Sequence, residues 1–73
     1  MDRVTIEPAI KIILAQIHAT LDEAARVAKG ADACARSGAV AEGVAVSMDI
    51  EQLIYEAGRL HDAASLLNRH SED

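Results

Sequence analysis

The sequence predicts an all-α fold: an antiparallel two-helix hairpin that dimerises into a four-helix bundle. Three observations carry that expectation. First, apolar residues recur in alternating steps of four and three, the spacing by which helices pack along their length. Ile6, Ile10, Ile13, Ile17, Thr20, Ala24, Val27, Ala31 and Cys34 form one series, and Val46, Ile50, Leu53, Ala57, Leu60, Ala64 and Leu67 form another. Second, Arg36-Ser37-Gly38 separates the two series with a cation for the last helical turn and a glycine for a left-handed cap. Third, the chain is 73 residues long with one cysteine. Chains this short seldom close a sufficient core alone and lean on disulfides, a metal or oligomerisation. Cys34 has no intrachain partner, and one cysteine with three scattered histidines is a poor zinc set. Oligomerisation remains.

Helix one is expected over residues 8–36. Pro8 suits a first turn, where its missing amide is not needed, with Thr5 or Glu7 as cap and Met1 to Glu7 as a frayed lead-in. With Ile10 at heptad position a, position d holds Ile13, Thr20, Val27 and Cys34, and position e holds Leu14, Leu21, Ala28 and Ala35. Three apolar positions in seven make the wide face of a bundle helix rather than a narrow two-stranded seam. Position f, with Ala15, Asp22, Lys29 and Arg36, is mostly solvated. Gly30 weakens or bends the helix, but the heptad continues through it.

A short turn at 37–38 leads into helix two, expected over residues 39–69. The stretch Ala39 to Val46 could instead be a loop, with Ser47 as N-cap and Asp49 and Glu51 in the first turn. Short connections are commoner than eleven-residue ones, and a start near Ala39 gives two helices of nearly equal length. Helix two places Ile50, Ala57 and Ala64 at a, and Val46, Leu53, Leu60 and Leu67 at d. This small-a, large-d layering resembles that of the repressor-of-primer hairpins, and the resemblance implies a dimer of helical hairpins and nothing about activity. The basic, aromatic-bearing RNA face of that family is not reproduced in this acidic chain. Ser71-Glu72-Asp73 is a polar tail. A three-helix monomer broken near Gly30 and Ser47 is the alternative architecture.

Composition narrows the function classes. The formal net charge is −5, which argues against nucleic acid or an anionic membrane as the main partner. The longest uninterrupted apolar run, Ile12 to Ala15, falls far short of the roughly 20 residues that span a bilayer. Pro8, Lys11, Gln16 and His18 break the one region that could serve as a signal peptide. A cytoplasmic setting is therefore expected. Tyr55 is the sole aromatic residue, and alanine supplies much of the 51% hydrophobic content, so closely approaching helices are favoured over a bulky interior.

No catalytic constellation stands out, and neither a cofactor nor a metal is expected. His18 and Asp22, four apart, could chelate, but positions b and f place them toward water as a surface hydrogen-bonded pair. His61, at e on helix two, borders the core, and His70 sits where the helix dipole favours a cation. Cys34 reads as a small core residue, an intersubunit disulfide being the other option. There is no Glu-x-x-His pair, no glycine-rich phosphate loop and no nucleophilic triad pattern. The basic stripe Arg26, Lys29 and Arg36 is accounted for by Asp22 and Asp32 four residues earlier, and by Asp49, Glu51 and Glu56 on the facing helix.

The most suggestive surface is the back of helix two. Met48, Gln52, Tyr55, Arg59, Asp62 and Leu66 occupy positions c and f, where polar residues belong, and Ile12 is a similar anomaly on helix one. Tyr and Arg are enriched at interface hot spots. Met48, Gln52, Tyr55, Arg59 and Leu66 are therefore the expected partner-binding residues. The seam of Ile10, Ile13, Ile17, Ala24, Val27, Ala31, Ile50, Leu53, Ala57, Leu60, Ala64 and Leu67 is assigned to core and dimer. The expected role is a small, acidic, non-catalytic adaptor, inhibitor or regulator that acts as a homodimer and binds another protein. The alternative is a structural or chaperone-like subunit completing a larger helical assembly.

Overall fold

The computed structural model describes residues 2–71 and consists of two helices, α1 (Arg3–Arg36) and α2 (Val40–Ser71), packed against each other as a hairpin. Both run unbroken, α1 through Gly30 and α2 through Ser47, so the three-helix alternative is not adopted.

α1 begins five residues before Pro8. Asp2 is extended and caps the helix by accepting from the Val4 amide at 3.1 Å, in place of the expected Thr5 or Glu7. Pro8 consequently lies inside the helix and withholds the amide that would bond the Val4 carbonyl. Other contacts hold this added turn. Ile6 is the most buried apolar residue, at 2% exposure, and Arg3 donates to Ser71 Oγ at 2.7 Å across the open end of the hairpin. Arg3 also lies 3.5 Å from the Glu7 carboxylate. Burial of one isoleucine outweighs the loss of one terminal backbone hydrogen bond, so the helix extends past the proline. Met1, at the head of the expected lead-in, lies outside the described residues, as do Glu72 and Asp73 of the tail.

The turn is a Schellman closure. Ala39 N–H reaches the Cys34 carbonyl at 2.9 Å, and Gly38 N–H reaches the Ala35 carbonyl at 3.1 Å. Gly38 carries φ +96°, a region that side chains disfavour, which is why glycine follows the last cation. Ser37 Oγ donates to the Cys34 carbonyl at 2.8 Å. α2 then starts at Val40, with the Ala39 carbonyl accepting from Gly43 N–H at 3.0 Å.

The first seam lies on the interface along its whole length: Ile6, Thr20 and Ala24 are buried, while Ile10, Ile13, Ile17, Val27, Ala31 and Cys34 are half-buried. α2 answers with buried Ala57 and Ala64 and half-buried Ile50, Leu53, Leu60 and Leu67. At the turn end the register differs from expectation. Gly43 is buried and Ser47 half-buried, whereas Val46 is 39% exposed. The cause is a close approach: a Cβ on Gly43 would stand 2.8 Å from the Ala31 carbonyl oxygen. Only glycine permits this contact, and it turns the first part of α2 so that Val46 rides at the edge.

The two seams face each other within one chain, but most of their residues remain half-buried. The hairpin leaves its flanks open as well. Among the described residues the buried apolar ones are Ile6, Ala24, Ala57 and Ala64, and no large side chain falls below 2% exposure. The Cα envelope measures 54 × 14 × 11 Å with a radius of gyration of 16.8 Å, against roughly 11 Å for a compact domain of this length. The hairpin is one layer thick, where stable domains pack two.

Candidate interaction surfaces

Antiparallel pairing sorts the exposed residues onto two opposite sides. In helices of opposite direction, position e of each falls on one side of the plane through both axes, and positions c and g fall on the other. The contacts fix the register: Arg3 meets Ser71, and Gly43 lies against Ala31, Cys34 and Ala35.

The c/g side carries a furrow. Gln16 and Thr20 of α1 and Tyr55, Glu56, Arg59 and Leu60 of α2 line an open cleft of about 570 Å³. Met48, Glu51, Gln52 and Tyr55 line a second hollow of about 350 Å³, toward the back of α2. Glu23, Val27, Asp49, Gln52 and Leu53 line a third, of about 210 Å³. Tyr55 borders the first two and Gln52 the last two, so the three hollows neighbour one another along α2. Of the residues expected at a partner surface, Tyr55 and Arg59 share the first cleft, and Met48, Gln52 and Tyr55 share the second. Leu66 lines none of these hollows and is 47% exposed, and Ile12 on the same side is 71% exposed.

The ion pairs among the described residues are local and lie on α1. Arg26 is paired with Asp22, and Arg36 with Asp32 at 3.0 Å, both as exposed i,i+4 pairs worth a few tenths of a kcal/mol each. Asp22 is thus engaged by Arg26 rather than by His18. The expected matching of Asp49, Glu51 and Glu56 to the basic end of α1 does not occur: among the described residues none of them pairs with an α1 cation, and Glu56 instead accepts from Gln52 Nε2 at 3.2 Å. Arg59 lines the first cleft together with Tyr55 and, like Lys11, Lys29 and Arg69, takes no ion pair among the described residues.

The opposite side gathers exposed apolar residues among the polar Lys11, His18, Asp32 and Glu51. Leu14 is 52% exposed, Leu21 43% and Ile54 52%, and Val40 and Val44 are open near the turn. The register sets Leu14 level with His61 and Leu21 level with Ile54. These e-position residues have the spacing of a wide packing face, and inside the hairpin nothing covers them.

Among the described residues no three His, Cys, Asp or Glu side chains gather as a metal site. Cys34 is half-buried at the turn end. An 18-residue window of α1 has mean hydropathy 1.3, so by length and composition this helix could cross a membrane, although its uninterrupted apolar runs are short. Ile6, Ile13 and Ile17 face α2, while Lys11 and His18 point away together with the exposed Ile12, Leu14 and Leu21. Comparison with protein-family models, curated proteins and solved structures returned no match.

Proposed function

We propose that this chain is a small, non-catalytic protein-interaction module that works as a homodimeric four-helix bundle and binds another protein on its c/g side. The observation that carries the reading is the furrow at Tyr55 and Arg59: an exposed aromatic ring, a guanidinium outside the ion pairs of the described residues, and flanking Met48 and Gln52 on a rigid helix. Such a combination suits a partner that presents a carboxylate beside an apolar side chain. Tyrosine supplies contact area at little entropy cost, and arginine holds a carboxylate bidentately. An acidic, cytoplasmic adaptor, inhibitor or regulator is the role this reading assigns to the surface.

A second reading draws on the apolar e-position side. A subunit that completes a larger helical assembly would offer the same uncovered leucines and isoleucine to foreign helices. Isolated protein separates the two: the first reading requires a self-contained dimer at low micromolar concentration, the second an unstable monomer.

Affinity capture compares wild-type protein with the Tyr55→Ala/Arg59→Ala variant at equal helicity. One or more proteins should be retained by the wild type and lost with the variant, with a further loss of retention as salt is raised. Equal recovery of every retained protein by both forms would remove the c/g furrow as the binding surface.

A further inference from the structure

We infer that a second copy of this chain covers the e-position side in one defined arrangement, with α1 stacked antiparallel on the partner's α1 and the turns at opposite ends. The inference rests on the homodimeric reading above and specifies its geometry. Six of the eleven exposed large hydrophobic residues (Val4, Leu14, Leu21, Val40, Val44 and Ile54) fall on positions b and e, which share that side. Positions b and e also alternate in steps of three and four, a second stripe at right angles to the first, with Lys11, His18 and Asp32 of α1 and Glu51 and His61 of α2 set among its apolar residues. The face measures about 54 by 14 Å in Cα extent, roughly 750 Å² per copy. A standard stable interface takes about 800 Å² from each partner.

A second copy is the occupant because the face complements itself. Sliding α1 along its own antiparallel image until Leu14 meets the partner copy's Leu21 places the two-fold axis at His18. The register of the hairpin then brings Ile54 against the partner copy's His61 and sets Gly58 on the axis. A Cβ on Gly58 would meet nothing within 4 Å inside the hairpin, so the hairpin itself gives no reason for a glycine in mid-helix. Two α2 backbones meeting on the axis give one. The same slide lays Arg3 beside the partner copy's Asp32, opposite charges at the rim. The competing arrangement, with turns at the same end and α1 on the partner's α2, sets Asp32 beside Val44 and Gly58 opposite the partner copy's α1, so the two Gly58 backbones do not meet.

The test uses full-length protein in which Cys34→Ala removes the native thiol. Sedimentation first measures mass without oxidation. His18→Cys and, separately, Gly58→Cys are then oxidised at low micromolar concentration, with helicity checked by circular dichroism. Both on-axis variants are expected to form covalent dimers. Lys11→Cys, on the same side but about 20 Å from its own image at 1.5 Å rise per residue, is expected to remain uncross-linked. A dimeric mass with no cross-link at either axis position, or a cross-link only when the two variants are mixed, overturns this arrangement and leaves the homodimer standing. A monomeric mass at this concentration overturns the homodimer and the arrangement together.

Discussion

Replacing Gly43 with alanine probes the helix–helix packing where it is tightest. The added Cβ would stand 2.8 Å from the Ala31 carbonyl oxygen, and 3.5 Å from both the Ala35 amide nitrogen and Cys34 Cβ. The nearest atom is backbone in the body of α1, so relief requires the two helices to part near the turn. Overpacking of this kind costs about 1–3 kcal/mol. Alanine also gains about 1 kcal/mol of helix propensity over glycine, which offsets part of that cost. The net expectation is a loss of about 1 kcal/mol, or a fall of about 4–8 °C in melting temperature for a domain of this size. Gly30→Ala is the control, because a Cβ there meets nothing within 4 Å and propensity acts alone. It should raise the melting temperature by a similar amount. Thermal melts followed by circular dichroism, at one fixed protein concentration, measure both. A Gly43→Ala protein that melts at or above wild type would refute the close approach of α2 to Ala31.

Two further substitutions probe the ends of α1. Gly38→Ala places a side chain at φ +96° and should cost about 1–2 kcal/mol, seen as a lower denaturant midpoint with an unchanged slope. Asp2→Ala removes the oxygen that accepts from the Val4 amide and should cost about 1 kcal/mol. Hydrogen exchange should then show faster opening confined to the turn around Arg3 to Glu7, and unchanged protection there would argue that Ile6 alone holds it.

The helical architecture was legible because it is written in a period. The four-three spacing identifies both helices, and Arg36-Ser37-Gly38 marks the turn that the Schellman hydrogen bonds close. The start of α1 was misplaced because Pro8 is a common first-turn residue, although Ile6, which opens the four-three series, already pointed to a helix beginning before it. The misplacement of Val46 has a different origin. Gly43 looks like a weak helix former in one dimension, and its role as a contact point exists only once Ala31 lies opposite. Pairing of Asp49, Glu51 and Glu56 with the basic stripe failed for another reason. Asp22 and Asp32, four residues away on α1 itself, already satisfy Arg26 and Arg36 at no cost in reach.

The candidate surfaces divide the same way. Met48, Tyr55 and Leu66, beside Arg59, were conspicuous as residues out of place for positions c and f, and that irregularity needs no structure to be seen. Their cleft companions Gln16, Thr20 and Glu56 were not, because polar residues at a helix edge are ordinary until the facing helix turns them into the wall of a furrow. Likewise, the e-position residues read as core from their spacing alone. Only the hairpin, by using its a and d positions internally, shows that Leu14, Leu21 and Ile54 are left uncovered.

Sedimentation velocity on the wild-type chain, under reducing conditions at low micromolar concentration, decides whether two hairpins complete the fold. A single folded species at twice the 7.7 kDa chain mass is expected, converting to monomer when Leu14 and Leu21 are both replaced by glutamate. A folded, cooperatively melting monomer of 7.7 kDa under the same conditions would contradict the homodimer.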